Sequence, residues 1–220
     1  MRKLIVNTFM TLDGVMQAPG GPPEDPTGGF DYGGWSVNYW DDIMGQTMGE
    51  YMAEPSDLLL GRKTYEIFAA HWPYSSEEPV ASQLNNSKKY VASNKLSNVD
   101  WKNSTLLKGD VVQEIKKLKA QDGPYLSVQG SSNFIQTLLN HSLVDEFRIW
   151  IFPVVIGKGK RLFGQGTVPS GLKLIDSKTS STGVIMARYA PSGKINIGTF
   201  ELEKPSEAEL ARRKRLAEDG

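Results

Sequence analysis

The chain has 220 residues, 39% hydrophobic and 10% aromatic, enough to bury one good-sized core and to argue against general disorder. Basic and acidic residues balance at 25 each, so no overall field favours nucleic acid or an anionic membrane, and any anion recognition must be local. Cysteine is absent, which excludes disulfides, thiolate metal sites and cysteine nucleophiles and suits a reducing cytoplasm.

The start, Met1-Arg2-Lys3-Leu4-Ile5-Val6-Asn7, turns polar too soon for a signal peptide. The longest apolar run, Ile149–Ile156, is interrupted by Pro153 and too short to span a bilayer. A soluble cytoplasmic protein is expected. Lys3–Phe9 reads as a first strand, closed by the turn Thr11-Leu12-Asp13-Gly14. From Pro19 to Trp35 the chain is rich in glycine and proline, and long loops of this kind are often lids or binding segments. Trp40, Ile43, Met44, Thr47, Met48 and Tyr51 then recur at helical spacing, a stripe expected to face the core.

Leu58–Gly61 is the second strand and Thr64–Ala70 the helix after it. Tyr90–Asn94 reads as a strand ending on two small polar residues, and Ser104–Leu107 as another. Asp110 caps an amphipathic helix carrying Val112, Ile115 and Leu118, which stops at Gly123-Pro124. Tyr125–Gln129 is a strand running into Gly130-Ser131-Ser132, and Phe134, Ile135, Leu138 and Leu139 give the next helix its buried face. Val144–Val155 reads as one long strand, and Leu172–Ser177 and Val184–Tyr189 form an antiparallel hairpin across Thr182-Gly183. The pattern predicts one α/β domain over residues 1–203, three layers deep, with a mostly parallel twisted sheet and an antiparallel edge. Ser206-Glu207-Ala208-Glu209 opens a charged helical tail, residues 204–220, in which Arg212-Arg213-Lys214-Arg215 reads as a solvated face.

Three strand ends share one chemical character: Gly61-Arg62-Lys63-Thr64, Ser93-Asn94-Lys95 and Gly130-Ser131-Ser132-Asn133. Glycine lets backbone approach a ligand, small hydroxyls donate without filling space, and arginine and lysine neutralise phosphate. Ligands of open α/β sheets bind outside the carboxyl ends of the strands, so three such turns predict a site for a multiply phosphorylated nucleotide. The chain has no Gly-x-x-x-x-Gly-Lys-Ser/Thr loop, no Gly-x-Gly-x-x-Gly after a strand and no Gly-x-Ser-x-Gly elbow. His71 and His141 lie outside any metal-ligand pattern, so no metal is expected.

Leu60-Gly61-Arg62-Lys63-Thr64-Tyr65 resembles the strand-turn-helix of the dihydrofolate reductase fold. Thr11-Leu12-Asp13-Gly14, Gln129-Gly130-Ser131-Ser132 and Leu143-Val144-Asp145-Glu146 are closer to one branch, the reductase domain at the C-terminus of bifunctional riboflavin-biosynthesis proteins. So are Pro153-Val154-Val155-Ile156-Gly157-Lys158-Gly159 and Leu162-Phe163, and the resemblance covers roughly residues 1 to 190. It implies NADPH as cofactor and hydride transfer to a pyrimidine or pteridine-like small molecule. Gly61, Arg62, Lys63 and Thr64 would contact the cofactor phosphates, Ser93 and Asn94 the adenosine ribose phosphate, and Gly130, Ser131 and Ser132 the pyrophosphate. An acidic residue on the helix before the Gly-Arg-Lys-Thr strand would orient the substrate ring, with Asp41 and Asp42 as candidates there and Asp13 as the other candidate. The resemblance also implies a homodimer, with Phe147–Val155 as contact strand. Reduction of 5-amino-6-(5-phosphoribosylamino)uracil is the expected activity. Folate reduction and non-catalytic nucleotide binding are the alternatives.

Overall fold

The computed structural model describes residues 1–219. Eight strands run β1 (Leu4–Thr11), β2 (Ser56–Gly61), β3 (Lys89–Ala92), β4 (Ser104–Leu107), β5 (Tyr125–Val128), β6 (Glu146–Phe152), β7 (Gly171–Thr179) and β8 (Ile185–Gly193). Six helices run α1 (Asp42–Ala53), α2 (Arg62–His71), α3 (Val80–Asn86), α4 (Val111–Ala120), α5 (Ser132–Asn140) and α6 (Glu207–Asp219). The sheet order is β4-β3-β2-β5-β1-β6-β8-β7. Every pairing from β4 to β6 is parallel, and β8 and β7 close the far edge antiparallel.

Strand alternation sends successive side chains to opposite faces, and both faces are covered. On one, Leu4, Val6, Leu126 and Val128 pack against Ile115 and Leu118 of α4 and Ile135 and Leu138 of α5. On the other, Leu58 and Leu60 meet Tyr65 and Phe68 of α2 and Leu84 of α3, while Phe9, Trp150 and Phe152 meet Met44, Met48 and Tyr51 of α1. This is the expected three-layer, mostly parallel α/β architecture with an antiparallel C-terminal hairpin.

The differences from the sequence reading are local. The strand read as Val144–Val155 is hydrogen-bonded only over Glu146–Phe152, since Pro153 has no N–H to donate. It is an internal strand, flanked by β1 and β8. Helix α3 has no counterpart in the sequence reading: it is seven residues long and buries only Ala81 and Leu84, too few to show a period. Within the Trp40–Tyr51 stripe, Met44 and Thr47 are buried as expected, but Trp40 and Ile43 are exposed and Met48 and Tyr51 face a cavity.

A buried ion pair fixes the amino edge of the sheet. Arg2 Nη2 donates to Asp57 Oδ2 (2.5 Å) and Arg2 Nε to the Pro124 carbonyl (2.6 Å), tying the start of β1 to β2 and β5. Among the described residues no helix is long and apolar enough to cross a membrane, and no group of three or more His, Asp or Glu side chains is placed to hold a metal.

Candidate functional site

β1 enters the middle of the sheet and the chain next places β2 beyond β5, so connections diverge above the carboxyl ends of these strands and leave a crevice. A cavity of about 1450 Å³ lies there. That exceeds the roughly 300–1,000 Å³ of a site for one drug-sized ligand, leaving room for two molecules side by side.

The three turns singled out by sequence converge on this cavity: Gly61, Arg62, Lys63, Thr64, Ser93, Asn94, Gly130, Ser131 and Ser132 all line it. Gly61 N–H donates to the Gly130 carbonyl (3.2 Å), locking the first and third turns together. Gly130 has φ +142°, and a Cβ there would lie 2.6 Å from Thr64 Oγ1, so only glycine fits. The Gly130–Ser131 peptide is cis. α2 and α5 begin at these turns, and neither has a side-chain cap, so their first N–H groups and the positive ends of their dipoles remain available to an anion. Arg62 Nη1 donates to both carboxylate oxygens of Glu66 (2.9 and 2.8 Å), one turn along α2. Ser93 Oγ accepts from the N–H groups of Lys95 and Leu96 (both 3.1 Å), so part of its task is holding its own turn.

The glycine- and proline-rich segment forms the roof. Gln17 Nε2 donates to the carbonyls of Asp25 and Thr27 (both 2.9 Å), and Gln17 Oε1 accepts from Lys160 N–H (3.0 Å). Lys160 pairs with Asp25, and Lys63 Nζ donates to Thr27 Oγ1 (3.2 Å), pinning the roof to α2. Lys63 sits below the usual lysine range, chiefly because Lys160 stands beside it and secondarily through burial. Burial acts against the charge of Asp25, but bonds from Lys160 and Thr27 outweigh it and hold the carboxyl below its ordinary range. Glu24 belongs to the same roof. Burial raises its pKa, against opposing hydrogen bonds from the N–H groups of Gly20 and Gly21. Asp25→Ala is expected to release the roof, so that limited proteolysis cuts between Gly20 and Gly29 severalfold faster than in wild type; an unchanged cleavage rate would show that the pin is elsewhere.

The three carboxylates expected to orient substrate or donate a proton are not in the cavity wall. Asp41 is the N-cap of α1: Oδ1 accepts from Met44 N–H (2.8 Å) and Oδ2 from Ser181 N–H and Oγ (2.6 and 2.7 Å), which hold its pKa down. Asp42 is exposed in the first turn of α1. Asp13 binds Thr11 Oγ1 (2.6 Å) and the N–H groups of Ile156 and Gly157 (3.2 and 2.8 Å), and despite burial these bonds keep it below the usual range. The physical reason is the direction of α1: its first turn lies beside the Ser181 hairpin, and its later turns present Met48, Tyr51 and Met52 to the cavity.

Deeper in, the floor is set by strand side chains the sequence reading did not single out: Asn7 on β1, Tyr125 and Ser127 on β5, Arg148 and Trp150 on β6. Period-2 alternation assigns them to one face of each strand, but nothing in sequence order shows that β1 lies between β5 and β6.

The model of the RibD C-terminal domain family matches residues 2–186. The uncharacterized protein YyaP of Bacillus subtilis (strain 168) is 29% identical over 196 residues, which is 87% of this chain and 96% of that protein. A putative riboflavin biosynthesis protein from Shewanella sp. PV-4 superimposes with a TM-score of 0.66 at 25% identity, over 86% of this chain and 99% of the other. Dihydrofolate reductase from Enterococcus faecalis, solved with NADP(H), shares the fold with a TM-score of 0.54 at 14% identity, over 86% of this chain and 96% of that one. Turn motifs, sheet order and family match agree: the chain belongs to the reductase-like RibD C-terminal domain family, built on the dihydrofolate reductase fold.

Proposed function

We propose that this protein is an NADPH-dependent reductase that transfers a hydride to a flat pyrimidine or pteridine-like ring, in the manner of 5-amino-6-(5-phosphoribosylamino)uracil reductase, and works in the cytoplasm. The observation that carries this reading is the convergence of the Gly61, Ser93 and Gly130 turns on one wall of a cavity large enough for a dinucleotide and a second ligand. Free helix N-termini at two of these turns, with Arg62 and Lys63 beside them, suit phosphate groups. The aromatic and thioether side chains of Phe9, Trp150, Tyr51 and Met48 give the other part of the cavity flat apolar walls suited to a heteroaromatic ring. The Enterococcus dihydrofolate reductase, which shares the fold, was solved with NADP(H).

When bound, the reduced dinucleotide supplies the hydride, and the protein's own work is positioning and dehydration. The Gly61 and Gly130 turns would hold the phosphate end. The roof pinned by Asp25, Lys160 and Lys63 excludes water. Glu24 is a roof carboxyl whose pKa burial raises against the opposing bonds from Gly20 and Gly21, and it is the candidate acid of the site.

Arg62→Ala should weaken NADPH binding by about 1.5–3 kcal/mol, roughly 10- to 150-fold, the value of a charge-assisted contact. Equal affinity in wild type and variant would remove the phosphate role. Turnover is tested by NADPH oxidation with dihydrofolate, pterin and aminouracil compounds. Oxidation with an aminouracil or pterin supports the reading, whereas tight NADPH binding with no turnover on any of them would mark a nucleotide-binding protein instead.

A further inference from the structure

Arg148 is the most unusual side chain of the cavity floor. It comes from the middle of β6, opposite Asn7 of β1, and its side chain is only 2% exposed. Nε donates to Glu146 Oε1 (3.1 Å) and Nη2 to Glu54 Oε2 (2.7 Å). The guanidinium carbon lies 4.5 Å from the centre of the Tyr51 ring and 5.3 Å from that of Tyr125, so two aromatic rings hold it. Nη1 is buried and has no hydrogen-bond partner.

A buried donor on a charged group left without an acceptor is costly, and folded proteins rarely keep one without a use. Among the described residues only one other buried side-chain polar atom lacks a partner, Ser104 Oγ, and Ser104 is not part of the cavity wall. Arg148, Tyr51, Tyr125 and Asn7 all are. The residue that carries the orphaned donor is therefore part of the cavity wall.

The charges around it define what it can take. Glu146 accepts from both Arg148 and Arg188 (2.8 Å to Arg188 Nε), and Glu54 takes the remaining bond, so two arginines face two glutamates. With the local charge balanced, a phosphate or carboxylate would bring an uncompensated negative charge into a buried place. A neutral carbonyl oxygen asks only for the free N–H. Asn7 Nδ2 and Gln129 Nε2 both donate to Ser127 Oγ (2.9 and 3.1 Å), so their oxygens are left to accept a ring N–H, and of these three side chains only Arg148 offers a free donor for a ring oxygen. No carboxylate of α1 reaches the cavity wall to receive ring amino groups.

We infer that Arg148 is a specificity-determining residue of the substrate subsite, its free Nη1–H donating to a ring carbonyl oxygen and thereby selecting oxo-substituted over amino-substituted heterocycles. This rests on the reductase reading of the cavity, and the test separates the two. The NADP⁺-loaded protein is titrated with lumazine, whose pyrimidine ring carries two carbonyls, and with 2,4-diaminopteridine, which carries two amino groups at the same positions. Wild type is expected to prefer lumazine at least roughly tenfold. Arg148→Met should erase that preference through loss of lumazine affinity, by roughly 10- to 150-fold, with NADP⁺ affinity unchanged.

Since the methionine variant leaves Glu54 without its partner, Arg148→Lys is measured alongside. It keeps the charge beside Glu146 and lacks the forked third donor, and it should lose selectivity while melting close to wild type. A purely structural arginine would change stability in these variants and leave the lumazine-to-diaminopteridine ratio intact. Retained selectivity in a folded variant overturns the role of Arg148 and leaves the reductase reading standing. Binding of NADP⁺ without either pteridine overturns both the ring-substrate reading and this inference.

Discussion

Gly61→Ala is expected to weaken NADPH binding about 100-fold and to destabilise the fold by about 1–3 kcal/mol, the usual cost of forcing extra volume into a packed site. Gly61 has φ −74°, which alanine adopts freely, so the whole effect is steric. Its Cβ would lie 2.3 Å from Ser131 Oγ, 2.9 Å from Phe134 Cβ and 3.1 Å from Ser131 N. The serine hydroxyl can rotate away, but Phe134 Cβ and Ser131 N belong to the first turn of α5 and cannot. The β2–α2 turn must therefore separate from the β5–α5 turn, breaking the Gly61 N–H to Gly130 carbonyl bond and splaying the two helix N-termini apart. Gly49→Ala is the control: nothing lies within 4 Å of its Cβ, it sits inside α1, and alanine there should stabilise by about 0.5–1 kcal/mol. Titration with NADPH and thermal melts of both variants check this. Wild-type affinity in the Gly61 variant would mean that the two turns do not share a ligand.

The second large effect is on stability. Lys89 is fully buried at the start of β3, and its Nζ donates to the carbonyls of Asn85 (3.0 Å), Ser87 (2.8 Å) and Lys102 (2.9 Å) while lying 4.2 Å from the centre of the Trp101 ring. One ammonium thus gathers the end of α3, the turn into β3 and the approach to β4. Lys89→Met keeps the apolar stem and strands three carbonyls, for an expected loss of about 3 kcal/mol or roughly 6–12 °C in a chain of this size.

Burial, with a smaller contribution from the charge of Lys102, lowers the Lys89 pKa from 10.5 to about 8. Between those values the unfolded chain holds more protons than the folded one, so the contribution of Lys89 to stability rises with pH across that window. The gap between wild type and variant should widen from pH 8 to pH 10 in denaturant titrations. A gap that closes would show that the three carbonyls hold the proton in the folded protein more strongly than burial expels it.

The turn motifs were legible because their chemistry is local. A strand that breaks on Gly61 before Arg62-Lys63-Thr64, or on Gly130 before two serines, carries its conformational demand and its basic and hydroxyl groups within four residues. The sheet class followed from alternating strand and helix periods, and the C-terminal hairpin from Thr182-Gly183, where Gly183 indeed has φ +86°. Short elements without a full period, such as α3, were not legible. Nor was the facing of α1: periodicity marks an apolar stripe, but the same stripe serves a core through Met44 and lines the large cavity through Met48 and Tyr51.

By itself, then, the sequence determined the α/β class and the three glycine- and hydroxyl-bearing turns at the ends of strands. Each is written in neighbouring residues and enforced by backbone geometry. Only the tertiary structure decided that Asp41 and Asp13 secure loops, that Lys63, Lys160 and Asp25 pin a roof, and that Arg148 keeps a donor free between two tyrosines. Those roles depend on which residues from distant parts of the chain come to lie within about 3–5 Å of one another, the range over which hydrogen bonds and ring contacts act.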